Sequence, residues 1–150
     1  MGRMSDVHAV SRLCQAGVDD ALALLSQAPG LARWNLGLWQ TQELAPGLLR
    51  GTSLFGGGCG LARVRVDAAQ GLVDYSVGTD EAALEARIQA RVQAGATLGH
   101  PAQTCVVTLL AWRTATMDEA RWQRLRAAHE VEIELIRSQL EAGPAGRAGA

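Results

Sequence analysis

Between Met117 and Glu141 the apolar residues recur at steps of three and four, through Trp122, Leu125, His129, Ile133, Ile136 and Leu140. That spacing marks a helix with one buried face. At 1.5 Å per residue it spans roughly 35 Å, about the width of a small domain. Thr116 and Glu119 have capping-box spacing, Asp118 and Glu119 put negative charge at the helix's positive end, and Gly143-Pro144 is a stop signal. Nothing from Leu36 to Arg113 has a comparably clear helical period. The chain is therefore expected to wrap a sheet around one terminal helix, an arrangement that tends to enclose a pocket.

The middle of the chain reads as strands and turns. Val7–Leu13 alternates loosely as a first strand, and Val18, Ala21, Leu22 and Leu25 mark a short helix that halts near Pro29-Gly30. A short helical or irregular piece follows over Leu31–Leu36. From Trp39 on, strands are expected over Leu48–Phe55, Leu61–Asp67 and Leu72–Val77, broken by Gly56–Gly60 and by a turn near Gln70-Gly71. Alternation puts Tyr75 with Val73 and Val77 on one face and Asp74 on the other. Leu84–Ala94 fits a helix and a strand equally. Val106, Val107, Leu109 and Leu110 form the last strand, rich in β-branched residues.

Composition narrows the function classes. The net charge of −1 argues against a nucleic-acid binder, which would need a basic face. The 48% hydrophobic content, without a run of about 20 apolar residues, fits a soluble protein with no membrane span. No signal-peptide-like start is present, so a cytoplasmic location is expected. All 14 basic residues are Arg, which reads as codon bias. Cys14, Cys59 and Cys105 have no metal-site spacing and are expected as buried free thiols. No metal and no cofactor are expected. The Gly56–Gly60 run joins two strands and lacks the Lys of a phosphate loop, so it reads as a hairpin tip at the cavity mouth.

Three stretches carry a family likeness: Ala28–Trp34 after the first helix; the Gly-punctuated strands with Arg50-Gly51 and Gly71–Tyr75; and Val107–Arg113 leading into Trp122, Leu125, His129-Glu130, Glu134-Leu135 and Leu140-Glu141. With this order of elements, residues 6–141 resemble the START-like, or SRPBCC, helix-grip superfamily, nearest to bacterial polyketide cyclase/dehydrase-like proteins. The resemblance implies an α+β helix-grip domain over residues 6–142: a seven-stranded curved antiparallel sheet around a long C-terminal helix, with two short helices after the first strand. It makes Leu84–Gln93 the sixth strand. Residues 1–5 and 143–150 are expected as flexible termini. It also implies an apolar cavity for a small hydrophobic or aromatic molecule, a lipid among the classes. The oxygenase branch is set aside, because His8, His100 and His129 offer no close His pair for an iron site.

His129, on the sheet-facing stripe, is the first candidate acid or base, with Glu132 one turn along to orient it; its plainer role is a packed histidine. Tyr75 can donate to a ligand oxygen or satisfy itself in the core. Trp34, Trp39, Trp112 and Trp122, with Leu125 and Ile133 of the helix, are the candidate ligand-lining residues; core packing is the plainer role for most of the Trp rings, and Trp112 and Trp122 are placed to meet. Arg50, Arg63, Arg65, Arg87, Arg91 and Arg113 should cover the solvent face; a buried one would need a carboxylate or an anionic ligand. The function read from this is ligand binding, with or without an aldol-type cyclisation or dehydration. The alternative is a protein-interaction module that docks a partner on its exposed sheet face; a homodimer is compatible with either.

Overall fold

A computed structural model describes residues 6–148, without the side chains of residues 144–148. The expectations for residues 1–5 and for the last two residues lie outside the described residues. In order the elements are β1 (Val7–Cys14), α1 (Val18–Ser26), α2 (Ala28–Leu31), β2 (Trp39–Ala45), β3 (Leu48–Thr52), β4 (Cys59–Asp67), β5 (Leu72–Gly78), β6 (Glu85–Ala94), β7 (Cys105–Trp112) and α3 (Glu119–Ala148). The seven strands form one sheet in the order β1-β7-β6-β5-β4-β3-β2, and every neighbouring pair is antiparallel. This is the helix-grip architecture.

The ambiguous segment is strand β6. Ala90 and Val92 face the core while Arg91 is exposed, so the period of two prevails. β2 shows no alternation, being exposed along nearly its whole length at the sheet edge. α3 packs mainly across β1 and β7. Its buried stripe of Trp122, Ile133, Ile136 and Leu140 contributes about 1.5–3 kcal/mol for each large apolar side chain.

Two details at the ends of α3 differ from expectation. The N-cap is Asp118, whose Oδ1 accepts the Arg121 N–H at 2.7 Å. Thr116 is too far out to reach the first turn, and its hydroxyl lies 3.2 Å from that of Thr114. Glu119, freed from the capping box, accepts from Arg113 at 2.7 Å. At the other end Gly143 adopts φ 74°, breaking the helix where the stop was expected, but helical backbone resumes beyond it to Ala148. A third correction concerns the thiols. Cys14 and Cys105 are buried opposite one another on β1 and β7, whereas Cys59 is exposed at the start of β4.

Candidate functional site

A cavity of about 320 Å³ lies between α3 and the sheet. Leu125, Ala128 and Glu132 line it from α3, Val77 and Ile88 from β5 and β6, and Leu38 and Leu61 from the opposite wall. Phe55, 51% exposed in the β3–β4 hairpin, stands at its mouth. The wall at Gly37 and Leu38 exists because that segment crosses directly over β3 and β4. It is tied down by the Leu36 peptide, whose carbonyl accepts from the Leu54 N–H at 2.9 Å. The Leu36 N–H donates to Glu132 Oε2 at 3.0 Å.

Glu132 is a buried carboxyl that faces this cavity. Burial lifts its pKa from the ordinary 4.5 to about 8, opposed only in part by the Leu36 N–H. At neutral pH it is therefore mostly protonated, able to donate to a ligand oxygen. His129 lies behind it, with Nε2 3.9 Å from Glu132 Oε1. Burial, reinforced by His8 and Arg87, lowers the His129 pKa to about 4. The pair is thus two neutral groups at pH 7, because the desolvation that raises one lowers the other and 3.9 Å is too long for a compensating hydrogen bond. Among the described residues His129 Nδ1 has no hydrogen-bond partner, and the ring does not line the cavity.

Arginine supplies the other polar face. β5 and β6 slip by one residue where Tyr75 pairs with Ile88 but Ser76 pairs with Ala86, leaving Arg87 as the extra residue of a β-bulge. A bulge re-aims its side chain. Arg87 and Ile88 therefore both line the cavity, although alternation would send Arg87 to solvent. The Arg87 side chain is 13% exposed, its Nε lies 3.6 Å from Glu85 Oε1, and that nitrogen makes no hydrogen bond among the described residues. Arg121 and Arg124 of α3 complete the rim.

The sequence-derived candidates are dispersed. Leu125 lines the cavity; the other lining candidates do not. Ile133 is core, and Trp34 is buried against the α1 end, where its Nε1 donates to the Leu24 carbonyl at 3.0 Å. Trp122 packs on Ala111 and Met117, while Trp112, the next residue along β7 from Ala111, points to the opposite face at 40% exposure, so the two rings do not meet. Trp39 is 38% exposed on the edge strand β2. Tyr75 is buried as alternation requires, but its hydroxyl donates to the Leu25 carbonyl and its ring stands edge-on to Trp34 at 6.4 Å. Burial, then Glu132, raise its pKa well above 10.

A core role for Tyr75 has a measurable consequence. Tyr75→Phe should cost about 1–2 kcal/mol by chemical denaturation, since it leaves a buried carbonyl unpaired, and should leave ligand binding unchanged. A loss of binding with intact stability would instead make Tyr75 a ligand contact.

Two groups of the site escaped the sequence reading. Glu132 entered only as a support for His129, although its step of seven from Leu125 on the inner stripe places it on the apolar face. Arg87 is one of six strand arginines that alternation assigns to the solvent face, and nothing singles it out, because a bulge has no signature in a segment that already alternates. Among the described residues no group of His, Cys, Asp or Glu could hold a metal ion, and no helix is long and apolar enough to cross a membrane.

The comparisons agree with the fold. No protein-family model matches the chain, and no curated protein matches it in sequence. Solved structures do. A START superfamily protein from Mycobacterium smegmatis matches with a TM-score of 0.65 at 10% identity, over 91% of this chain and 97% of that one. The Zhui aromatase/cyclase from Streptomyces sp. R1128 matches with a TM-score of 0.63 at 15% identity, over 91% and 93%. The Aha1 dimer from Colwellia psychrerythraea gives 0.67 at 12% identity, over 92% and 98%. The chain thus has the START-like helix-grip fold.

Proposed function

We propose that this domain binds a small, largely hydrophobic molecule in the cavity between α3 and the sheet. The observation that carries the reading is the cavity itself. Its surface is more apolar than polar, and its volume of about 320 Å³ lies at the lower end of the range for small-molecule sites, about 300–1,000 Å³. A few polar groups converge on it, as such sites require for orientation.

Two measurements test it. Native mass spectrometry of the purified protein should show a small apolar metabolite. The neutral fluorophore N-phenyl-naphthylamine should bind, and Ala128→Phe, which puts a ring into the cavity from α3, should weaken it by at least about tenfold, a loss of about 1.4 kcal/mol. Binding unaffected by Ala128→Phe would place the probe elsewhere and sink the reading.

A second reading is favoured by one group. The protonated Glu132 carboxyl facing the cavity is suited to polarise a ligand carbonyl, as an aldol-type cyclisation or dehydration would need. The aromatase/cyclase among the similar structures lends that chemistry support. Glu132→Gln would then abolish turnover while N-phenyl-naphthylamine still binds.

A further inference from the structure

We propose that the ligand of this cavity is an organic acid, an apolar body carrying one anionic group that docks on Arg87 between Arg121 and Arg124. The inference rests on the ligand-binding reading above and specifies its substrate class.

Three guanidinium side chains and one carboxyl line the cavity. Neither Arg121 nor Arg124 has a carboxylate paired with its side chain among the described residues. Arg87 is the most telling. A guanidinium that is largely removed from water costs free energy unless its N–H groups are satisfied. Glu85, more exposed than Arg87 and 3.6 Å from its Nε, leaves that donor unbonded. A carboxylate or sulfonate in the cavity can accept from Nε and reach the fork of the guanidinium in a way that Glu85 does not. The backbone arrangement supports this, because the bulge turns Arg87 away from the solvent face that alternation assigns to it. Arg121 and Arg124 lie one turn apart on α3 at the same opening, and their charges draw an anion toward the mouth. The apolar body then extends along Leu125, Ile88 and Ala128, toward the Glu132 carboxyl.

The test compares two fluorophores that share one ring system, anilinonaphthalene sulfonate and neutral N-phenyl-naphthylamine. At pH 7 and low salt the sulfonate should bind at least about tenfold more tightly, the scale of one charge-assisted hydrogen bond. Arg87→Gln should remove that preference and leave the neutral probe within about twofold of its original affinity, well under the 1.4 kcal/mol of a tenfold change. The surface pair Arg121→Gln/Arg124→Gln, which does not depend on burial, should reduce the salt sensitivity of sulfonate binding. Equal affinity for both probes in the unaltered protein, or equal weakening of both by Arg87→Gln, overturns the organic-acid assignment and leaves the pocket standing. Binding of neither probe overturns the pocket reading itself.

Discussion

Replacing Glu132 with glutamine should abolish a loss of stability, about 2 kcal/mol between pH 6.5 and 8, that the unaltered protein shows. The cause is the lifted pKa. The folded state keeps a proton on Glu132 up to about pH 8, whereas the unfolded chain releases it near 4.5. Across that window the native state binds the extra proton, so stability falls as pH rises, and the carboxyl's favourable contribution is complete below 4.5 and gone above about 8. His129 works in the opposite sense. Its pKa is lowered from 6.5 to about 4, so the unfolded state binds the extra proton there and stability rises with pH across that range. His8, also lowered by burial, adds to the rise. Between 4.5 and 6.5 these slopes oppose one another, and the decline due to Glu132 emerges only above 6.5. Denaturant titrations at several pH values read this directly. E132Q keeps an acceptor for the Leu36 N–H and carries no charge to bury, so its curve should stay flat from 6.5 to 8. A uniform loss of about 3–5 kcal/mol at every pH would instead show a true ion pair with His129, broken by the substitution.

That prediction bears on function as well as stability. The groups facing Glu132 are the Leu36 N–H, His129 from its own helix and Tyr75 from β5. None is a cation at pH 7, and the arginines that line the same cavity do not offset the burial that keeps the carboxyl protonated. A proton-donating Glu132 and a cationic Arg87 bound the same apolar space. An acid of matching shape would find its anionic end and a neutral oxygen served by different residues.

Much of the architecture was readable from residues alone, and the physical reason is periodicity. The 3.6-residue stripe of α3 and the two-residue alternation of β5 and β7 each correspond to one buried face, which the sequence records directly. β6 was not decidable by period, since Ala, Gln and Arg suit either state; the neighbouring strands, pairing with it on both sides, decided it. The site was less legible. A scarce large ring suits either a ligand wall or the core, and the core is where Trp34 and Trp122 lie. The groups that shape the cavity's chemistry depend on three-dimensional accidents of the chain. Arg87 depends on a one-residue slip between strands, and Glu132 on a peptide nearly a hundred residues earlier.

Gly51→Ala should cost about 3 kcal/mol, the upper range for overpacking a rigid site, with a matching loss of probe binding. Gly51 of β3 pairs with Gly60 of β4, and the two form a bare strip across the sheet. The Gly37–Leu38 segment lies on that strip. A Cβ on Gly51 would come within 2.5–2.6 Å of the Leu38 backbone, and one on Gly60 within 3.0 Å of the Gly37 carbonyl. Backbone atoms cannot swing aside as a side chain would, so the crossing segment must lift. Lifting it strains both bonds of the Leu36 peptide, to Leu54 and to Glu132, and moves the wall at Leu38 away from α3. Stability and binding should therefore fall together, with N-phenyl-naphthylamine weakened by at least about tenfold. Gly58→Ala is the control. It lies in the same glycine-rich hairpin, yet an added methyl meets nothing within 4 Å, and its cost should stay within about 0.5 kcal/mol. Equal effects at the two positions would mean that the hairpin tolerates or resists methyl groups for reasons of flexibility. The close passage of residues 37–38 over β3 would then not be what holds the cavity open.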